Sequence, residues 1–417
     1  MRKLIFHIDV NSAYLSWEAA RRVANGEPDL RLIPSAIGGD PEKRTGVILA
    51  KSIPAKKFKI TTGEPVAMAL RKCPELVLAK PDFKLYVQNS RAFIAICKNY
   101  APVVEQVSID ECFCDFDNTE LVYPDPLELA YRIKDEIKET LGFTVNVGIS
   151  ENKLLAKMAS DFEKPDKVHT LYPGEIPEKM WPLPVGELFT VGKATAQRLI
   201  QARIETIGAL AHTDPEQLTR MFGPKLGSHL HRYANGISNS PVLAEPEEAK
   251  GYSISTTLED DVETAEAAHH ILLALADSVA ARMRADGFKA FCVAVSIRSN
   301  DFKNKSHQQK LREPTDGTNE IYQLAKKLFS ELWNGKTPLR LLGIALTDLT
   351  KEDYVQISLF DTADERKTKS KKLDKAVDAL RSKYGRSTIQ RGALLQDTHE
   401  VGKKYQAQME GEGSKKE

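Results

Sequence analysis

The amino-acid sequence predicts a multidomain α+β protein, and three observations carry that expectation. A chain of 417 residues exceeds the roughly 250–300 at which single hydrophobic cores stop growing. Residues 3–161 alternate strand-like and helix-like apolar periods in the order β-α-insert-α-β-β-α-β-α, the pattern of a sheet backed by helices. The chain then changes character twice, to a glycine-punctuated helical stretch over 166–240 and back to mixed strand and helix over 251–350.

Residues 3–9 read as a buried strand ending on a carboxylate, followed by a helix through Tyr14, Trp17 and Ala20 that stops near Gly26. From Asp29 to Pro74 the chain is short-stranded, lysine-rich and punctuated by Gly and Pro, as an insertion would be. A helix follows Asp82, carrying Tyr86, Ala92, Phe93 and Ile96. Residues 103–116 alternate as a β-hairpin with Asp110 and Glu111 near its turn. Successive strand residues face opposite ways, so these two acids reach one site only if the turn redirects one of them. The next helix is capped by Asp125, opened by Pro126, striped by Leu129, Ile133, Ile137 and Leu141, and stopped by Gly142. Phe143–Ile149 reads as a strand, and Ser150 as the opening of a helix through Leu154, Met158 and Asp161.

In the helical stretch, Val191-Gly192-Lys193 leads a helix to Arg203, and Thr206 to Leu210 reads as a tight glycine turn into another. Phe222-Gly223-Pro224 to Gly236 forms a second such unit. Glycine turns before helix N-termini offer backbone N–H groups to phosphate oxygens, although plain helical hairpins fit the pattern equally well. The acidic, proline-bearing residues 241–250 read as a linker. Over 251–350, helices are expected near 264–286 and 317–334 and strands near 252–258, 290–298 and 340–349. Beyond them Leu373, Val377, Leu380 and Tyr384 stripe a helix over 366–384, and residues 396–417 read as disordered. This tail, 362–417, suits either a partner contact or a solvated extension.

Composition excludes several classes. The net charge of +1 does not mark a general polyanion binder. Between Val279 and Arg340, however, basic residues outnumber acidic ones about two to one, which fits a phosphate-tracking face or a solvated surface. No apolar stretch approaches the roughly 18 residues that span a bilayer, and the N-terminus turns polar too soon for a secretory signal. Five irregularly spaced cysteines, with Cys112-x-Cys114 lacking a second pair for zinc, read as buried thiols in a reducing cytoplasm.

The chemistry is carried by two acidic motifs, Ile5 to Asn11 (Ile-Phe-His-Ile-Asp-Val-Asn) and Val107 to Phe113 (Val-Ser-Ile-Asp-Glu-Cys-Phe). Ionised carboxylates at the edge of a core are costly unless a cation sits between them. Asp9, Asp110 and Glu111 converging from two strands make a hard, oxygen-rich site suited to Mg²⁺. Paired ions of that kind promote in-line displacement at phosphorus.

With these motifs, the stretch Gly148 to Asp161 (Gly-Ile-Ser-Glu-Asn-Lys-Leu-Leu-Ala-Lys-Met-Ala-Ser-Asp) and the following Lys164-Pro165, the chain resembles a Y-family (translesion) DNA polymerase over about residues 3–361. Within that family it is similar to the bacterial polymerase IV and polymerase V catalytic-subunit group. The resemblance implies a right-hand polymerase. It would have a ferredoxin-like palm (1–28 and 76–165), small fingers (29–75), a helical helix-hairpin-helix thumb (166–240) and an α+β little finger (251–350). It implies that Asp9, Asp110, Glu111 and the Val10 carbonyl hold two Mg²⁺ ions, with Mn²⁺ as a substitute. Tyr14 matches the steric gate against a 2′-hydroxyl, though the position also suits a core aromatic. Lys164 matches a lysine on the triphosphate, Lys157 lies near the same charge, and Lys56 stands where relatives place Arg. Gln356, Leu359 and Phe360 resemble the bacterial sliding-clamp-binding peptide, within residues 351–361. Implied partners are primer–template DNA, deoxynucleoside triphosphates and a sliding clamp, for a monomer at the bacterial nucleoid that bypasses damaged bases with low fidelity and low processivity.

The chain departs from the family at Asn11, Ser12 and Ala13, where many members have a second Asp and aromatics. Ile53 stands for Tyr, and Thr190 for a glycine of the first thumb turn. These changes bear on base preference, lesion range and speed rather than on the chemistry. Two rivals remain: a catalytically silent DNA- and clamp-binding regulator, and another two-metal enzyme on a similar palm, such as a nucleotide cyclase.

Overall fold

The computed structural model describes residues 3–40, 46–352, 365–385 and 388–394, in two compact units that divide near residue 246. In the first unit, strand β1 (Ile5–Val10) is followed by helix Ala13–Ala24. A small three-stranded sheet comes next, from β2 (Ser35–Gly38), β3 (Ile48–Lys51) and β4 (Val77–Ala79), in the order β3-β2-β4. β4 lies beyond residue 75, so the inserted sheet closes slightly later than the sequence suggests. The short helices Ile53–Lys56 and Val66–Lys72 cover it over a core of Ala36, Ile48, Ala55, Val66 and Leu76.

The main sheet adds β5 (Val103–Gln106), β6 (Glu111–Asp115), β7 (Val145–Ser150) and β8 (Val168–Thr170), in the order β5-β6-β1-β7-β8. β1 is central and antiparallel to both neighbours. Its even residues Phe6 and Ile8 enter the core with Trp17, Phe93, Ile133 and Val147, beneath helices Phe83–Tyr100 and Pro126–Leu141. Its odd residues face the other way, toward helix Lys153–Ser160. That helix can lie directly on the sheet because Gly148 has no side chain: a Cβ there would stand 2.0 Å from the Ala156 carbonyl oxygen. Ser150, expected to open the helix, is instead the last residue of β7. Asn152 is the cap, its side chain accepting from the Leu155 N–H.

The helical stretch continues from this layer, Leu154, Leu155 and Met158 sharing one core with Leu199, Leu218 and Leu230. Its helices are Lys193–Gln201, Ile207–Ala211, Pro215–Phe222 and Pro224–Ala234. Gly208, expected in a turn, lies inside Ile207–Ala211, where a Cβ would meet Trp181 at 2.9 Å. The reversal between the first two helices uses the left-handed Arg203 (φ 64°) instead. The second hairpin turns at Gly223 (φ 81°), as expected.

The second unit is a four-stranded antiparallel sheet of β9 (Gly251–Val262), β10 (Lys289–Ser299), β11 (Asn304–Thr315) and β12 (Leu339–Thr350), in the order β11-β10-β12-β9. Helices Ala265–Ala285 and Thr318–Leu332 pack on it over Ile271, Leu275, Val293, Leu328 and Ile344. β11 escaped the sequence pattern because it is an edge strand, largely exposed and almost free of apolar residues, as a charged edge that resists strand addition should be.

Helix Glu365–Tyr384 exists, but its apolar stripe is not what docks it. Leu373, Leu380 and Tyr384 are exposed, whereas Asp374 is 4% exposed. Arg284 donates to Asp378 (2.7 Å), to the Asp316 carbonyl (2.6 Å) and to Thr318, and lies 3.7 Å from Asp374. Arg381 and Arg391 reach Asp277 at 2.7 and 3.0 Å. Gln356, Leu359 and Phe360, and residues 396–417, lie outside the described residues.

Candidate active site

Strand alternation builds this site. His7 and Asp9 share the face of β1 opposite Phe6 and Ile8, and Glu111 is the direct cross-strand partner of Asp9. Asp110 precedes β6, in the turn, where its backbone carbonyl accepts the Val10 N–H at 2.9 Å. Its carboxylate accepts from Ser108 Oγ at 2.6 Å. The turn is thus what brings a second acid to the same end of the sheet.

Two lysines answer these charges. Lys164 bonds Asp9, and also Asp161 at 2.8 Å. Lys157 lies 2.9 Å from Glu111 and 4.0 Å from Asp9. With Asp9 and Lys157 only 13% and 14% exposed, these are not ordinary surface pairs. Burial alone would lower both lysine pKa values, but the acids more than offset it and raise them. The Glu111 carboxyl is held down at about 2, first by the His7 imidazole and then by Lys157 against the opposing effect of burial. His7 Nε2 is 3.3 Å from Glu111 without a hydrogen bond, while Nδ1 pairs at 2.8 Å with Ser160 Oγ, whose own hydroxyl donates to the Lys157 carbonyl. His7 is fully buried, which lowers its pKa and keeps it neutral. Burial, then the charges of Asp9 and Glu111, push Asp110 the opposite way, upward.

The donors are all hard oxygens, and Asp110 is under-neutralised in the way a divalent cation would relieve, so the residues fit such an ion. They are not preassembled around one. Among the described residues, the group of three metal-capable side chains with ligand atoms mutually within 4.8 Å is Cys97, Cys112 and Cys114. Those thiols lie in the core on the opposite face of β6, consistent with the reading of buried cysteines.

Tyr14 is half-buried on helix Ala13–Ala24, stacked on Tyr86 with ring centroids 4.5 Å apart and tilted toward Trp17. Burial, then the Asp110 charge, raise its pKa. Lys56 and Ile53 lie exposed on the short helix Ile53–Lys56, and no contact of Lys56 with the acids occurs among the described residues. An open groove of about 770 Å³ lies away from the acids, lined by Gly223, Lys225, Ser228, His229, Arg232 and Ser238. There the left-handed Thr190 (φ 78°) bonds His229 at 3.0 Å, a side-chain anchor where a glycine turn would have none.

Sequence reasoning missed His7, Ser160 and Asn146. The signal was present for His7 and Asn146, each a polar residue within an apolar run, and all three are fully buried.

Comparison with known proteins identifies the family. Residues 8–161 match the model of the impB/mucB/samB family, and residues 249–359 that family's C-terminal domain. Residues 186–238 match the thumb domain of DNA polymerase-iota. A DNA polymerase IV of Clostridium acetobutylicum is 46% identical over 95% of this chain and 99% of its own. DNA polymerase IV 1 of Bacillus subtilis is 38% identical over 94% and 93%. A Y-family DNA polymerase chimera superposes with a TM-score of 0.71 at 20% identity, over 84% of this chain and all of its own.

Proposed function

The chain belongs to the impB/mucB/samB family of Y-family DNA-directed DNA polymerases, and from that premise we propose that it adds deoxynucleotides to a primer 3′ end across damaged template bases. The observation that carries the catalytic reading is the convergence of Asp9, Asp110 and Glu111 at one end of the sheet, with Lys157 and Lys164 among them.

Y-family polymerases use divalent metal ions. Asp9, Asp110, Glu111 and the Val10 carbonyl are the residues that would hold them here, Mg²⁺ first and Mn²⁺ as a substitute. Two such ions, when bound, supply charge neutralisation at phosphorus and a more acidic primer hydroxyl. Lys164, bonded to Asp9, would meet the triphosphate's negative charge and would then leave Asp9 free to hold a cation. Lys157 keeps Glu111 ionised, and Tyr14 closes the space a 2′-hydroxyl needs. Lys56 offers a point charge from the fingers without Arg's planar fork.

In this reading residues 1–28 and 76–165 form the palm, 29–75 the fingers, 166–240 the thumb and 251–350 the little finger. The thumb groove with Lys225 and Arg232, and the basic edge strand β11, would track DNA phosphates in a salt-sensitive, sequence-independent way. Gln356, Leu359 and Phe360 would tether a monomeric enzyme to the sliding clamp at the bacterial nucleoid.

Primer extension on an undamaged template, wild type beside the Asp110→Ala/Glu111→Ala double variant, tests this. Short products from wild type alone, with DNA binding retained by both, are expected. Products from both would overturn the site, and none from either would favour the silent DNA- and clamp-binding reading. With a clamp loaded, Leu359→Ala/Phe360→Ala is expected to lose stimulation and keep basal extension.

A further inference from the structure

Asn11 occupies the place where many relatives carry a second acidic residue, yet its side chain is buried at 8% exposure and is bonded to Asn146, the cross-strand partner of Asp9. Its Oδ1 accepts from the Asp166 N–H and from Thr144 Oγ1, both at 2.9 Å. Its Nδ2 donates to Asn146 Oδ1 at 3.0 Å. Asn146, fully buried on β7, donates from Nδ2 to the carbonyls of Ser160 (3.1 Å) and Glu163 (2.7 Å) and accepts from the Lys167 N–H at 3.3 Å.

The orientation of both amides follows from these partners. Backbone carbonyls can only accept and backbone N–H groups only donate, so neither side chain can flip without opposing like groups. The two side chains thereby hold four backbone groups between residues 160 and 167, the segment that carries Lys164 to Asp9. Asp166 within it is left-handed (φ 62°), and its carboxylate is held by Lys134 and Lys138 at 2.8 and 2.7 Å.

We infer that Asn11 and Asn146 are positioning residues that set Lys164 for the incoming triphosphate, and that position 11 requires an amide. A carboxylate at 11 keeps the bond to the Asp166 N–H but turns a second oxygen onto Asn146 Oδ1, leaving two buried acceptors face to face. The residue that looks like a weakened metal ligand is thus committed to the loop that neutralises Asp9. The inference rests on the reading of Lys164 as a triphosphate contact.

The test is the affinity of a non-hydrolysable deoxynucleoside triphosphate analogue for the full chain on a dideoxy-terminated primer–template with Mg²⁺. It compares wild type, Asn11→Asp, Lys164→Ala and the double variant, with DNA affinity measured in parallel. Asn11→Asp and Lys164→Ala are each expected to weaken nucleotide binding roughly tenfold at unchanged DNA affinity. The double variant is expected to be no weaker than Lys164→Ala alone. Wild-type nucleotide affinity in Asn11→Asp, or a full additional factor in the double variant, overturns the inference. Unchanged affinity in Lys164→Ala overturns instead the reading of Lys164 on which it stands. Where Asn11→Asp does not fold, Asn11→Ala, which loses all three side-chain bonds without opposing two oxygens, is read by the same criteria.

Discussion

Asp9 and Glu111 are direct partners in the β1–β6 register, so two carboxylates project side by side from one face of the sheet. Like charges in that relation destabilise a strand pair. Lys157 and Lys164 on one flank offset the repulsion, with neutral His7 behind, and the site's electrostatics follow from how each partner is tuned.

Acid stability should report His7. With Glu111 lowered from 4.5 to about 2, its contribution is fully present above pH 4.5 and fades as pH falls toward 2. By linkage it is worth at most about 3 kcal/mol. Neutral, buried His7 adds stability that declines as pH drops below its ordinary 6.5. His7→Phe should therefore flatten the acid limb of a urea-denaturation series between about pH 6 and 2. An acid limb identical to wild type would show that neither effect operates.

Gly148→Val should be among the most damaging substitutions in the chain. Its Cβ would meet Ala156 O at 2.0 Å and Ser160 N at 2.4 Å, both backbone. Helix Lys153–Ser160 would have to leave the sheet, at a cost of roughly 3 kcal/mol or more. Gly174→Ala, with no atom within 4 Å of the added Cβ, should change stability by less than about 1 kcal/mol, and chemical denaturation compares the two.

Tyr14→Ala should raise ribonucleotide incorporation, while Tyr14→Phe should keep the discrimination, because the ring and not the hydroxyl fills the space. Loss of the stack on Tyr86 adds a stability penalty of about 2–4 kcal/mol. Single-nucleotide insertion kinetics with matched ribo- and deoxynucleotides decide. Equal ratios in Tyr14→Ala and wild type would move the gate to another residue.

Arg284→Ala should release helix Glu365–Tyr384. The arginine side chain is 8% exposed and holds Asp378 at 2.7 Å, while Asp374 keeps Arg391 at 2.9 Å, so its loss should cost about 1.5–3 kcal/mol. Limited trypsin digestion should cut within 365–384 in the variant and spare wild type. Equal cleavage in both would mean that Arg381 and Arg391 hold the helix without it.

Much of this architecture was legible because local signals and packing agree. The Asp125 cap, Pro126 and Gly142 bound their helix where the sequence placed them, with the Asp125 carboxylate accepting from Leu127 and Glu128 N–H. The acids were legible because carboxylates that end apolar runs need a reason to be there. What escaped had no local signature. β11 is polar because its neighbour pairs only one edge, and the tail helix docks by charges whose partners lie about ninety residues or more away in sequence. Asn11 was read as a missing acid because sequence spacing cannot say which way a side chain turns once its strand ends.

β1 is hydrogen-bonded along both edges, and residues of both functional faces are strung on that one strand. Its amides can exchange with solvent only when the sheet itself comes apart, so the acidic face and the core beneath share one free energy of opening. A weakened variant should therefore lose its acidic face and its fold at the same denaturant concentration, never one before the other. Whatever mobility the enzyme uses for accommodating distorted templates must come from segments other than the one that carries Asp9.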